Sequence, residues 1–129
     1  MTIDTVRKIF ESKMTDRCNI YRRKTIINPD KTTQVVLDKN PILSNVPCRI
    51  YFIRYKVENP SDMQLDSNPI QLTPKIFFPL YTDIKAGDTV KLNRISSEGI
   101  TLLTYSGILG LPAYYDTHIE VMLNIDTDA

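Results

Sequence analysis

The hydrophobic period of this chain changes once, and the change leaves few folds open to it. Ile3, Val6, Phe10 and Met14 recur at spacings of three, four and four, with Asp4, Arg7, Lys8 and Glu11 between them. That is the stripe of an amphipathic helix, expected over residues 1–14 with Thr2 as its cap. From Cys18 onward the period is two. Cys18 and Ile20 alternate with Asn19 and Tyr21, and Cys48, Ile50 and Phe52 alternate with Arg49, Tyr51 and Ile53. Near the end Ile119, Val121 and Leu123 face one way, and His118, Glu120 and Met122 face the other, outward. One short helix followed by about six or seven strands with frequent turn signals predicts a mainly β fold, a small antiparallel β-barrel.

Turn chemistry divides the strands. Asn28, Pro29 and Asp30 separate Tyr21 to Ile27 from Thr32 to Asp38, which predicts a hairpin. Pro41 and Pro47 mark a loop before the strand that starts at Cys48. Residues 56–74 hold Pro60, Pro69 and a polar cluster without a regular period, so they read as one long loop. Lys75 to Tyr81 follows as a strand, with Pro79 arguing for an edge or a bulge. Gly87 turns the chain into Thr89 to Asn93, and Ser96 to Gly99 joins that strand to Ile100 to Tyr105. Gly107, Gly110 and Pro112 make the apolar segment from Gly107 to Tyr115 bend. The expected organisation is a single domain over 1–129: a helix to residue 14, a barrel over 15–125 and a tail over 126–129.

Composition removes several function classes. With 42% hydrophobic and 24% charged residues the chain is an ordinary globular domain rather than a disordered tail. No run approaches the ~18 apolar residues of a spanning helix, and the start lacks the features of a secretory signal, so no membrane partner and a cytoplasmic site of synthesis are expected. Cys18 and Cys48 read as reduced, buried apolar groups. The single histidine, His118, reads as a solvated strand residue with no Cys/His cluster around it. Neither a P-loop nor a dinucleotide fingerprint fits the spacing of Gly87, Gly99, Gly107 and Gly110. No catalytic, metal or cofactor residues are assigned, and no enzymatic activity is expected.

What remains is contact with other macromolecules. Tyr21, Arg22, Arg23 and Lys24, with Arg49, Tyr51, Arg54 and Tyr55, interleave cations and aromatics as single-strand nucleic-acid binders do. Against this, the net charge is only +1. The charge is unevenly spread. Residues 1–57 carry twelve Lys and Arg against five Asp and Glu, and residues 58–129 carry four against ten, a division that suits stacking of copies or docking on an oppositely charged partner. Folding can equally mix the two halves on one surface.

An ordered set of segments then stands out: Met14 to Arg23 ahead of a hairpin, Val46 to Ile50, Ile84 to Val90, and Pro112 to Val121. Over residues 14–124 this set resembles the small head-closure, or head-to-tail connector, proteins of long-tailed bacteriophages and related prophages, with tail-completion and minor tail proteins as the nearest neighbours. The resemblance implies a β-barrel subunit without enzymatic activity or cofactor. It implies a ring beneath the portal and its adaptor, which closes the filled head, offers the tail its attachment surface and lets packaged DNA pass without sequence-specific binding. The expected location is the host cytoplasm during assembly and then the virion neck.

Within that picture the stripe Ile3, Val6 and Phe10 either covers an open end of its own barrel or docks on a neighbour, and Tyr51 and Tyr55 are candidate interface residues. The long loop carries Glu58, Asp62 and Asp66 without Lys or Arg from Val57 to Pro74, which suits a channel or inter-subunit loop that repels phosphates. The bland readings are a flexible surface loop and solvated carboxylates.

Overall fold

The computed structural model describes residues 2–56 and 70–125. Helix α1 (Ile3–Ser12) starts where expected: the Thr2 hydroxyl accepts the Thr5 N–H at 3.2 Å, and the Thr2 carbonyl accepts the Val6 N–H. Strands follow as β1 (Asp16–Tyr21), β2 (Arg23–Ile27), β3 (Thr33–Leu37), β4 (Leu43–Lys56), β5 (Ile70–Phe78), β6 (Thr89–Ile95), β7 (Thr101–Leu109), β8 (Ala113–Tyr114) and β9 (Ile119–Ile125).

Six of these strands form a closed antiparallel barrel in the order β5, β4, β1, β6, β7, β9, with β9 returning to pair with β5. Closure leaves the six barrel strands no continuous free edge. The short β8 adds to β9. The core is the inward set of the period-two pattern, including Cys18, Ile20, Cys48, Ile50, Ile76, Phe78, Val90, Leu92, Ile119, Val121 and Leu123. Cys18 and Cys48 are free thiols inside it. The proximity of Cys18, together with burial, pushes the Cys48 thiol well above its ordinary range, so it stays protonated. The barrel order keeps the two charge halves apart: β4 and β1, from residues 1–57, are neighbours, and β6, β7, β9 and β5, from the rest of the chain, follow one another round the wall.

Two expectations change, and a third is met in an unexpected place. Residues 70–74 are not loop: β5 begins at Ile70 and pairs with the end of β4, Ile70 opposite Lys56 and Pro74 opposite Phe52. Pro74 is tolerated because the pairing of β5 with β9 starts only at Lys75, so no ladder bond is asked of its nitrogen. The strand therefore runs Ile70–Phe78 rather than 75–81, and Pro79 falls just past its end. Residues 57–69, with Glu58, Asp62 and Asp66, lie outside the described residues.

The apolar segment after Tyr105 also does not bend at Gly107. β7 runs straight through it to Leu109, and the turn is confined to Gly110 to Pro112. Glycine is needed there for another reason: a Cβ at position 107 would lie 2.3 Å from the Asn124 carbonyl oxygen, where β7 meets β9.

The expected hairpin forms between Arg23–Ile27 and Thr33–Leu37, but outside the barrel wall. β2 and β3 pair only with each other, as a separate two-stranded sheet. They continue the β1–β4 ribbon beyond the barrel as an arm, tied at its base by the Ile42 N–H to the Ile20 carbonyl.

Candidate interface surfaces

Buried carboxylates fix the barrel at two places. Asp16 is fully buried; Oδ2 accepts the Ile50 N–H and Oδ1 the Ile95 N–H, both at 3.1 Å. One side chain thus joins β1 to β4 and β6, where β6 has a register irregularity between Arg94 and Ile95. Asp88, nearly as buried, accepts both arms of the Arg22 guanidinium, Nε at 3.0 Å and Nη2 at 2.9 Å, and also the Lys85 N–H. The hydrogen bond to Asp88 is the main reason the Arg22 pKa is raised. Arg22 is the residue between β1 and β2, so this bidentate pair sets the angle at which the arm leaves the barrel.

The arm itself carries its apolar residues in the open. Ile27 is 75% and Val35 61% exposed, and Ile26 and Leu37 are also exposed. Its tip is nevertheless ordered by its own bonds. Lys31 N–H donates to the Asn28 carbonyl and Asn28 N–H to the Thr32 carbonyl, while Lys31 takes a left-handed φ of 69°. The Asp30 carboxylate accepts from both the Thr32 hydroxyl and its N–H, which holds Asp30 below the usual carboxylate range.

A second surface surrounds His118, and here the outward reading fails: His118 is only 6% exposed. The residue does stand on the outer side of β9, as the alternation requires, but α1 and its neighbours cover that side. Its ring lies within 16° of parallel to Phe10, Phe77 and Tyr115, with centroids 4.5, 4.8 and 5.2 Å away. Nδ1 meets the Thr117 hydroxyl and Nε2 the Glu120 carboxylate, each at 2.8 Å. Burial of Glu120 works against its charge, but the bonds from His118 and Lys75 outweigh burial and hold the carboxyl below its ordinary range. The Thr117–His118–Glu120 line shares the polarity of a catalytic triad, but its ring is packed flat against aromatic neighbours as a structural post.

The sequence-derived interface residues separate accordingly. Phe10 and Val6 face the barrel, and Phe10 is the contact that seats the helix on His118. Ile3 stays exposed at 54%, and α1 has no fully buried residue. Tyr51 is half covered, packed on Phe77 with the Arg49 guanidinium over its ring. Tyr55 and Arg54 belong to β4, but their side chains lie outside the described set. Among the described side chains the cation and aromatic set does not converge. Tyr21 sits under Lys91 near the arm, Arg22 is spent on Asp88, and Tyr51 lies eight residues along β4 from the Leu43–Ile20 pair, roughly 26 Å away.

Concave places lie about the base of the arm, one of them lined by Arg22, Arg23 and the Lys85 to Asp88 turn, and two others matter here. One of about 460 Å³ is bounded by Arg23 and Leu37 at the arm base and by Gly107, Ile108 and Asn124. The other, of about 250 Å³, lies between the first residues of β4 (Leu43 to Pro47) and Tyr81, Thr82 and Asp83. It exists because β4 changes partner: Leu43–Cys48 pair with β1, whereas β5 joins only from Arg49 onward. Thr82 is 6% exposed, and its hydroxyl has no partner among the described residues.

Among the described residues no group of three or more His, Cys, Asp or Glu is placed to hold a metal ion, and no helix is long and apolar enough to cross a membrane. Comparison with protein-family models, with curated proteins and with solved structures finds no match.

Proposed function

We propose that this chain is a structural subunit of the neck of a long-tailed phage particle. It assembles as a ring between the portal and adaptor on one side and the tail on the other, closes the filled head and presents the surface to which the tail attaches. The observation that carries this reading is a closed barrel that projects an ordered arm whose large apolar residues are exposed, with further exposed apolar residues on the barrel at Leu102, Leu103 and Leu111. Such a surface is what a subunit working by contact needs, since contiguous exposed apolar patches mark interaction sites. The order of the segments along residues 14–124 supplies the phage context.

In this reading residues 57–69 form the channel or inter-subunit loop, with Glu58, Asp62 and Asp66 repelling the phosphates of passing DNA. The strand Ile70–Phe78 gives that loop a fixed point of return to the barrel wall. The protein gathers in the host cytoplasm and ends in the virion neck. Particles made without this chain are expected to lose packaged DNA or to lack tails, and labelled chain is expected between capsid and tail by electron microscopy. Its presence in the tail instead would make it a tail-completion or minor tail protein. Filled, tailed, infectious particles in its absence would sink the reading altogether. Deleting 59–68 should leave the barrel folded and reproduce the leakage.

A further inference from the structure

We propose that the tip of the β2–β3 arm of one copy seats in the groove between β4 and Thr82 of the next copy, as the contact that joins subunits. The inference rests on the ring reading above and names its interface.

The groove asks for a partner of particular chemistry. Val46 and Thr82, nearly buried, form its floor, and Leu43 and Tyr81 give it apolar walls. At about 250 Å³ it has room for one or two aliphatic side chains, given that a cavity of about 150 Å³ holds a benzene. The Thr82 hydroxyl is buried without a partner, an arrangement folded proteins rarely leave standing. Asp83 is the only acidic or basic residue of the lining; it is 69% exposed and reaches Arg22 at 3.5 Å with one oxygen.

The arm tip matches each requirement. Ile27 is the most exposed aliphatic residue of the arm, and Lys31, in the turn that follows, is opposite in sign to Asp83. The tip also carries backbone groups able to meet Thr82. Arg23, Lys24, Lys31 and Lys39 outnumber Asp30 and Asp38 on the arm, and Asp30 is held in toward Thr32. Because the tip is fixed by its own hydrogen bonds, little ordering cost is left for binding.

A chain cannot make this contact with itself. The arm leaves the barrel beside its own groove and carries its tip about 17 Å away, the length of a five-residue strand. The contact therefore joins two different surfaces of two copies, and an arrangement of that kind closes into a ring when its rotation permits.

The test mixes two single variants, Ile27→Cys and Ser44→Cys, under mild oxidation; the native Cys18 and Cys48 are buried and stay silent. The mixture is expected to give a 27–44 cross-linked dimer at least tenfold above a mixture of Ile27→Cys with Leu102→Cys, both as purified protein at high concentration and in assembled particles. Yield no higher than this control in both samples, or 27–27 dimers in excess of 27–44 dimers, would overturn the contact. Thr82→Val is expected to weaken association about fivefold to tenfold, the worth of one hydrogen bond, without lowering the stability of the barrel. Unchanged association would count against the role of Thr82. The two readings fail separately. Cross-linking in solution with the chain missing from the neck leaves the contact and removes the phage assignment, whereas a neck location without 27–44 cross-links does the reverse.

Discussion

Replacing Asp16 tests whether one buried carboxylate holds three strands of the barrel together. Its two oxygens are each committed to a backbone N–H, Ile50 of β4 and Ile95 of β6. Asp16→Ala leaves both donors buried without a partner. Each such orphan costs about 1–3 kcal/mol, so the expected loss is about 2–6 kcal/mol, a large part of the roughly 5–15 kcal/mol that holds a domain folded. For a chain of this length that corresponds to a fall in Tm of roughly 8–24 °C. Asp16→Asn keeps the shape but offers one acceptor instead of two, and about half the loss is expected. Urea unfolding gives the magnitude, and hydrogen exchange gives the place: protection should fall first at Ile50 and Ile95. A loss below about 0.5 kcal/mol, the size of an ordinary surface substitution, would refute the reasoning, as would unchanged protection at both amides.

Three further outcomes follow from the same geometry. Gly107→Ala forces a Cβ against the Asn124 carbonyl at 2.3 Å, and a destabilisation of about 3 kcal/mol, at the top of the overpacking range, should appear in urea unfolding. The Glu120 carboxyl titrates below its unfolded value, so its contribution to stability is complete above the unfolded pKa and is lost as pH falls through the folded one. Urea midpoints taken from pH 6 down to pH 3 should fall more steeply for the native chain than for Glu120→Gln, and parallel curves would contradict this. Phe10→Ala removes the ring that seats α1 on His118, so the helical circular dichroism should drop while the barrel melts within a few degrees of the native protein.

The barrel was legible because its inward residues obey a period of two that no other element of the chain imitates: Cys18, Ile20, Cys48, Ile50, Val121 and Leu123 all reach the core. His118 shows the limit of that rule. Alternation put it on the outer side of β9, where it is, but could not show that α1 would cross that side and make a second, aromatic cluster around it. The long loop was overextended to residue 74 because proline reads as a breaker, yet Pro74 sits where β5 has no second partner. The hairpin turn was plain in Asn28, Pro29 and Asp30, but the exposure of the arm was not. Ile26, Ile27, Val35, Val36 and Leu37 have the composition of core strands, and a sequence does not distinguish a face reserved for its own core from one left open. Asp16 and Asp88 gave no signal beyond being acids beside strands; their partners are backbone groups, an arginine and distant turns.

Because the arm contributes little to the core and the barrel closes without it, folding and association should separate by mutation. Ile27 and Val35 are exposed at 75% and 61%, so their removal deprives the folded monomer of little buried area. The double variant Ile27→Asp with Val35→Asp is therefore expected to unfold within about 0.5 kcal/mol of the native chain, the range of surface changes. Association is a different matter, since an acidic side chain at position 27 would enter an apolar groove that already carries Asp83 at its rim. Sedimentation at rising concentration, followed by incorporation into particles, should show loss of assembly with the barrel intact. If the same variant instead unfolds the barrel, the arm is part of the folding unit, and the division between a self-sufficient barrel and a contact arm is wrong.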